Sequence, residues 1–283
     1  MLAKPVRVAI GLELCGKTWK SLLTTFMTTE LQMQDTPDRY SRHILLEVVG
    51  QTGQDKIQKA RVLVAGLGAL GSTICILLAR AGVGFLRIVD KDAPELHNLH
   101  RQILYNEIDV SLGIPKAHAA RINLLSVASN VEIDAINQEI AKTNIYHLLD
   151  GIDLVVDALD NSETRFIVND AIVDLKIPYI FGGAVETVGN VMTIIPGRTP
   201  CLRCIWPDPS SIVGHAKAAT VGVLSSVASL VASVQVTEAF KVIVGDIESA
   251  IPGILVVDVW KNQFHVVPVK PSPNCDCQKI NSQ

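Results

Sequence analysis

The stretch VLVAGLGALG, residues 62–71, joins a short apolar run to a G-x-G-x-x-G turn. Such a turn lets backbone N–H groups and the first turn of a helix approach phosphate oxygens, which is typical of nucleotide sites. Asp90 stands nineteen residues beyond Gly71, at the end of the next apolar run, where its carboxylate can accept hydrogen bonds from ribose hydroxyls. The sequence therefore predicts a nucleotide site that is built from Gly66, Gly68, Ala69, Gly71 and Asp90.

Strand-like and helix-like runs alternate from residue 61 onward. Strands are predicted at 62–65, 85–89, 131–136, 154–159 and 179–181, with helices at 72–80, 116–126 and 163–174 between them. This order predicts an α/β fold: a Rossmann-like, mainly parallel sheet with helices on both faces. Later runs at 189–195, 254–259 and 263–267, with a long helix over 221–244, predict antiparallel C-terminal strands that extend the sheet.

Composition places the chain among globular proteins. It has 283 residues, 48% hydrophobic and 19% charged, so it can bury a sizeable core. A net charge of −3 argues against binding nucleic acid through a basic face. No secretory signal is convincing, and six cysteines are too few for a disulfide scaffold, so we expect a cytoplasmic protein. The uncharged run 218–236 is long enough to span a bilayer, but its Ser and Ala content favours a buried or interface helix and no membrane contact.

Residues 1–37 are interpreted as an N-terminal extension, and residues 38–283 as a single domain. The extension contains GLELCGKT, residues 11–18, which matches the P-loop pattern G-x-x-x-x-G-K-[ST]. Glu13 would place a negative charge where the loop should cradle phosphates. We therefore expect a chance match rather than a second nucleotide site.

Two cations and two amide side chains follow the glycine turn: Asn98, Arg101, Gln102 and Lys116. Lys116 follows a Gly-Ile-Pro turn and starts a helix, so it can meet a phosphate as a point charge, and Arg101 can meet one as a fork. Asp160, at the end of a predicted strand, could hold Mg²⁺ or cap the next helix. Fixed cations beside a glycine turn suit a triphosphate better than a nicotinamide. The residues thus indicate an ATP-using enzyme that activates a carboxylate, with Arg101, Lys116 and Asp160 in catalytic roles.

Five motifs in this order resemble the MoeB/ThiF family, prokaryotic relatives of the ubiquitin-activating enzymes. They are RYSRH at 39–43, GLGALG at 66–71, NLHRQ at 98–102, GIPK at 113–116 and DALDN at 157–161. The resemblance covers about residues 38–278 and implies one ATP-binding adenylation domain in a homodimer with a continuous mixed sheet. It also implies adenylation of the C-terminal glycine of a ubiquitin-like sulfur-carrier protein ending in Gly-Gly, for molybdopterin, thiamine or a related product.

The resemblance assigns roles to individual residues. Asp90 would bind ribose, while Asn98, Arg101 and Lys116 would bind phosphates, and Asp160 would bind Mg²⁺. Arg42 would reach into the partner subunit's site and contact the γ-phosphate. No side chain needs to act as a covalent nucleophile, because positioning and electrostatic stabilisation suffice for this chemistry.

Four cysteines lie in two close pairs, Cys201-x-x-Cys204 and Cys275-x-Cys277. The family carries two C-x-x-C pairs here that form a structural zinc site, which would tie the C-terminal portion to the body. The second pair is one residue shorter than the family pattern. We expect zinc, with buried free cysteines as the alternative.

Many relatives have a transfer cysteine where this chain has Ala218, and no cysteine lies between Cys204 and Cys275. We also expect no added rhodanese-like domain. We therefore expect the reaction to stop at the acyl-adenylate, with a separate sulfur donor. Three alternatives stay open: adenylation of a small-molecule carboxylate, an NAD-dependent oxidoreductase and a non-catalytic scaffold. The seven histidines show no acid–base pair that would support the oxidoreductase.

Overall fold

A computed structural model describes residues 39–208 and 218–279 of the chain. The chain divides after Arg39, and the elements below belong to the second unit, Tyr40–Gln283. The P-loop-like match at 11–18 lies outside the described residues.

One eight-stranded mixed sheet forms the centre of the fold. Its strands are β1 Arg61–Ala65, β2 Phe85–Val89, β3 Glu132–Ile136, β4 Leu154–Asp157, β5 Tyr179–Val185, β6 Val188–Ile194, β7 Gly253–Asp258 and β8 Gln263–Pro268. Their spatial order is β3-β2-β1-β4-β5-β6-β7-β8. The strands from β3 to β5 pair in parallel, and those from β5 to β8 pair antiparallel. The predicted fold class is therefore confirmed.

Helices lie between the strands and along both faces of the sheet. They are α1 Ser41–Ile44, α2 Gly50–Lys59, α3 Ala69–Arg80, α4 Glu107–Ser111, α5 Lys116–Leu125, α6 Ile145–Leu148, α7 Ser162–Leu175, α8 Leu202–Ile205, α9 Ala218–Val221, α10 Ser225–Val244 and α11 Asp276–Lys279. Single 3₁₀ turns span Leu96–Asn98 and Ile247–Ser249.

The central strands are apolar without alternation because both of their faces are buried. Val62 and Val64 of β1 belong to the core beneath α2, α3, α5 and α10. Leu63 and Ala65 belong to a second core beneath α6, α7 and α8. Hydrophobic burial on two faces therefore fixes β1 in the middle of the sheet.

Helix α10 is long and apolar enough, by length and composition, to cross a membrane. Its Val231 instead packs where Gly189 of β6 has no side chain, and its Gln235 is fully buried against β4 and β5. The interpretation of this run as a buried helix agrees with that packing. The helix ends at Gly245, which adopts the left-handed conformation usual after a helix C-terminus.

Several predicted boundaries were wrong: α3 begins at Ala69 rather than at 72, β5 runs to Val185 rather than to 181, and two elements are shorter than expected. The helix expected over 221–244 begins only at Ser225, because Gly222 adopts a left-handed conformation (φ 88°) and Val223 bridges to Glu186. Glu186 N donates to Gly222 O (2.9 Å), and Glu186 O accepts from Leu224 N (2.8 Å). Strand β4 ends at Asp157 rather than at Leu159, because the Asp157 carboxylate accepts a hydrogen bond from Leu159 N (2.8 Å) and turns the chain.

The last strand, β8, forms one edge of the sheet, and all six of its residues are exposed. Phe264 and Val266 keep 57% and 46% of their surface in solvent, and Trp260 in the preceding turn keeps 74%. An exposed sheet edge with apolar side chains is typical of a surface that meets another protein.

Substitutions in the glycine turn test this fold. A Cβ on Gly71 would lie 2.1 Å from Gly66 O, a backbone atom that cannot move aside, whereas a Cβ on Gly68 meets nothing closer than Gln102 Nε2 at 3.9 Å. We expect Gly71→Ala to lower the free energy of unfolding by about 2 kcal/mol or more, as for other overpacked sites. Urea unfolding followed by circular dichroism measures this, with Gly68→Ala as the matched control. Equal stability of the two variants would contradict the close approach.

Candidate active site

The glycine turn is tied to Asp90 by its backbone. Gly66 N donates to Val89 O (2.9 Å), and Leu67 N donates to Asp90 Oδ2 (2.7 Å). The other carboxylate oxygen of Asp90 accepts from Asp92 N (2.8 Å). Each oxygen keeps a second lone pair, so the carboxylate holds the turn and can still accept from a ribose hydroxyl.

Gln102 and Tyr105 support the other side of the turn. The Tyr105 hydroxyl donates to Leu67 O (2.9 Å) from a buried position, and burial raises the pKa of this phenol well above its usual value. Gln102 is buried beside Gly68, and its Oε1 has no hydrogen-bond partner in the described part of the chain. The bond from Tyr105 ties the chain just after Arg101 to the glycine turn, and Gln102 lies beside the turn.

Lys116 is a buried cation at the first position of α5. Only 7% of the residue is exposed, its backbone N donates to Asp92 O (2.8 Å), and its Nζ lies 3.5 Å from Asp92 Oδ2. Burial raises the pKa of Asp90, and the positive charge of Lys116 opposes this rise. Lys116 and Asp90 are therefore neighbours beside the glycine turn, as a site for a charged nucleotide requires.

Asn98 is the last residue of the 3₁₀ turn Leu96–Asn98, and Arg101 lies in the turn that follows it. Asn98 is 5% exposed, and its Oδ1 accepts from Glu95 N (3.1 Å), so its amide N–H groups remain to donate. Arg101 donates from Nη1 to His97 O (2.8 Å). Among the described residues no carboxylate pairs with Arg101, which leaves its charge available to an anion.

Asp160 lies in a turn between β4 and α7, residues 157–161, which we call the Asp160 loop. A Cβ on Gly66 would lie 2.7 Å from Ala158 O, so the loop touches the glycine turn. Asn161 caps α7 by accepting from Thr164 N (2.8 Å), so Asp160 is not the cap and its side chain is exposed. One free carboxylate beside a phosphate site fits Mg²⁺, which takes one or two carboxylates together with substrate phosphates.

Asp157 is fully buried beneath this loop, and Arg165 of α7 is its counter-ion at 2.9 Å. Burial raises the pKa of Asp157, and the charge of Arg165 opposes this. Arg165 also donates from Nη2 to Leu159 O (2.6 Å) and to Gly182 O (2.7 Å). Asp157 is therefore a structural residue that holds the chain beneath the loop.

Arg42 lies on α1, is exposed and makes no ion pair with another described residue. No contact joins it to the glycine turn within the described part of this one chain. Its neighbour His43 donates from Nδ1 to Gln54 Oε1 (2.8 Å) and meets the Phe240 ring edge-on. His43 is thus a packing residue.

The four paired cysteines form one cluster, with their sulfur atoms within 4.8 Å of one another. Cys201 Sγ lies 3.5 Å from Cys275 Sγ, and Cys204 Sγ lies 3.5 Å from Cys277 Sγ. Thiolates around tetrahedral Zn²⁺ at the usual Zn–S length of about 2.3 Å are spaced in this range. The shortened second pair therefore still reaches a position where the cluster can bind a metal such as zinc.

Sequence reasoning missed Tyr105 and Arg165. The signal for Arg165 was present, since Asp157 ends a buried strand and needs a counter-ion, and Arg165 is the first cation that follows it. Tyr105 had no comparable signal, because a hydroxyl that bonds a distant carbonyl leaves no pattern in sequence.

The arrangement combines a phosphate-binding turn, a ribose acceptor, a buried cation and an unpaired one, and a free carboxylate for a divalent cation. Positive charge fixed near phosphates stabilises the charge that develops during transfer at phosphorus. The site can therefore bind a nucleoside triphosphate and favour attack on it.

Comparison with known proteins agrees with this geometry. The family model described as "ThiF family" matches residues 40–279. The sulfur carrier protein ThiS adenylyltransferase of Bacillus subtilis is 41% identical to this chain over the matched region. That region covers 80% of this chain and 66% of that protein, slightly under two thirds. The SAMP-activating enzyme E1 of Haloferax volcanii is 35% identical, covering 84% of this chain and 87% of that protein.

Among solved structures, E. coli MccB crystallised with ATP has a TM-score of 0.73 and 25% identity, covering 85% of this chain and 74% of that one. Its similarity extends through the mixed sheet and helices described above. Since the family model covers most of the second unit and both relatives exceed 30% identity, the chain belongs to the ThiF family.

Proposed function

We propose that the protein adenylates the C-terminal glycine carboxylate of a ubiquitin-like sulfur-carrier protein, using ATP and Mg²⁺. The observation that carries the proposal is the glycine turn locked to Asp90, with the buried cation Lys116 beside it. The names of the relatives as adenylyltransferases of sulfur carriers and as a SAMP-activating enzyme support the same chemistry.

In the proposed reaction a carboxylate oxygen attacks the α-phosphorus of ATP. The bond to the bridging oxygen breaks, and pyrophosphate leaves with the electron pair. Lys116, Arg101 and the N–H groups at the start of α3 offset the repulsion between the carboxylate and the polyphosphate. Mg²⁺ held by Asp160 would supply further charge neutralisation at the phosphates.

A folded carrier fits the surface better than a small acid does. The exposed apolar edge around β8, with Trp260, Phe264 and Val266, offers a protein partner an area to bury. A small carboxylate would have no use for such a surface. The absence of any cysteine between Cys204 and Cys275 favours an end at the acyl-adenylate, with a separate sulfur donor completing the transfer.

Exchange of labelled pyrophosphate into ATP tests the reaction. With a carrier that ends in Gly-Gly, we expect exchange that falls at least about a hundredfold in Arg101→Ala and in Lys116→Ala, because each change removes positive charge from the developing pyrophosphate. Arg80→Ala, which changes an exposed arginine at the far end of α3, is the matched control and should keep wild-type exchange.

Phe264→Asp tests the carrier surface. This variant should raise the carrier concentration for half-maximal exchange and leave ATP binding unchanged.

If no Gly-Gly carrier supports exchange and a small acid does, the substrate is a small acid and not a carrier protein. NAD binding without ATP binding would refute the adenylating role altogether.

The site is proposed to be completed by a second copy of the chain, whose Arg42 contacts the γ-phosphate. Arg42 is exposed, and the chain immediately after α1 exposes Leu45, Leu46 and Val48 at 73%, 49% and 72%. Apolar side chains in a row at the surface are better explained by a symmetric interface than by solvent.

Mixing two inactive variants tests this homodimer. Arg42→Ala and Arg101→Ala should each be inactive alone, but co-expression should restore about a quarter of wild-type exchange, because half of the dimers are mixed and each has one intact site. If the mixture is no more active than its components, Arg42 acts within its own chain or not at all.

The cysteine cluster is proposed to hold one structural zinc ion per chain. We expect elemental analysis to find zinc in the wild type and not in Cys277→Ser, whose melting temperature should fall because metal binding contributes folding free energy. Cys75→Ser, which changes a buried cysteine outside the cluster, is the control and should keep its zinc. Full zinc content in Cys277→Ser would remove this residue from the ligand set.

A further inference from the structure

We propose that Arg165 is a positioning residue that fixes the Asp160 loop for divalent-cation binding. The inference rests on the proposed function, since it deepens the role given there to Asp160. Arg165 itself touches neither the cation nor the nucleotide in this proposal. It acts through the backbone on which Asp160 is carried.

The contacts of Arg165 hold the residue before Asp160 from two sides. Its Nη2 donates to Leu159 O (2.6 Å), while Leu159 N donates to the Asp157 carboxylate (2.8 Å), whose other oxygen faces Arg165 Nε (2.9 Å). Both backbone polar groups of Leu159 are thus engaged by one buried ion pair. These bonds restrict the backbone conformation at Asp160, the residue that follows, and so the direction of its side chain.

The same guanidinium is itself fixed to the sheet. Its Nη2 also donates to Gly182 O of β5 (2.7 Å), and its carbon lies 4.9 Å from the centre of the Phe181 ring. On the far side, Asn161 caps α7 and holds the end of the loop. Asp160 is therefore the exposed residue in a turn whose two flanks are both anchored.

Another arginine of the chain, Arg87, shows what contacts of this kind contribute when no proposed cation site is near. Arg87 makes a similar set of contacts elsewhere: Nε to the Asp134 carboxylate (2.8 Å), and Nη1 to Leu148 O and Asp150 O (3.0 Å each). The exposed fractions of the two arginine side chains are similar, 15% for Arg87 and 19% for Arg165, but Asp134 is 40% exposed and Asp157 is buried. Arg87 holds no residue with a proposed cation role, so it is a control for the loss of an arginine that bonds one carboxylate and two carbonyls.

The test measures Mn²⁺ binding by electron paramagnetic resonance with α,β-methylene-ATP, a probe that cannot release pyrophosphate. Because Arg165→Gln alone would leave a buried, unpaired carboxylate, the main variant is Asp157→Asn with Arg165→Gln, which removes both charges together. We expect its Mn²⁺ affinity to fall about tenfold or more, as when other residues that orient metal ligands are changed. The affinity for the probe in EDTA should stay at the wild-type value.

The control is Asp134→Asn with Arg87→Gln, which should keep wild-type Mn²⁺ affinity. Arg165→Lys keeps a positive charge, but its single nitrogen cannot lie opposite Asp157 and also reach both carbonyls, whereas arginine uses Nε for the first and Nη2 for the second. This variant should fold and still bind Mn²⁺ more weakly. Wild-type Mn²⁺ affinity in both Arg165 variants, or equal losses in the Arg87 control, would overturn the inference. A wild-type protein that adds nothing to the Mn²⁺ affinity of the free probe would instead refute the proposed function, and the inference with it.

Discussion

The close approach of backbone to backbone at the glycine turn is the constraint on which the rest of the site depends. A Cβ on Gly66 would lie 2.7 Å from Ala158 O, and a Cβ on Gly71 would lie 2.1 Å from Gly66 O. Neither residue therefore has room for a side chain. At this point strand β1, helix α3 and the exit of β4 approach one another closely enough for main-chain atoms to touch. This contact sets the distance between the glycine turn and the Asp160 loop.

Buried charge at this edge is balanced locally. Asp90 has Lys116, and Asp157 has Arg165, so that each carboxylate taken out of water has a cation beside it. Buried ion pairs of this kind add little to the free energy of unfolding, because the cost of removing both charges from water offsets most of their attraction. Their value here lies in directing backbone: Asp90 orients the N–H of Leu67, and Arg165 with Asp157 orients both polar groups of Leu159.

The sequence predicted the sheet, and it located the glycine turn next to Asp90, because their signals are local: apolar runs, glycines and the acid at the next strand end. It could not predict the break at residues 222–224, which depends on pairing with Glu186 far away in the chain, nor the hydroxyl of Tyr105 on Leu67 O. The shortened cysteine pair was ambiguous for the same reason, because the distance between thiols is set by how the C-terminal segment folds onto the body.

The two cations near the turn differ in a way that bears on mechanism. Lys116 is buried and faces Asp92 at 3.5 Å, so its charge is held in place before any nucleotide arrives. Arg101 is half-buried and touches only a carbonyl, so it can move onto phosphate at little cost. A preorganised charge lowers the barrier because no reorganisation is needed at the moment of reaction, whereas a mobile one follows charge as it shifts to the leaving group. In the proposed reaction the second task suits the leaving pyrophosphate, which gains additional negative charge as its bond to the α-phosphorus breaks.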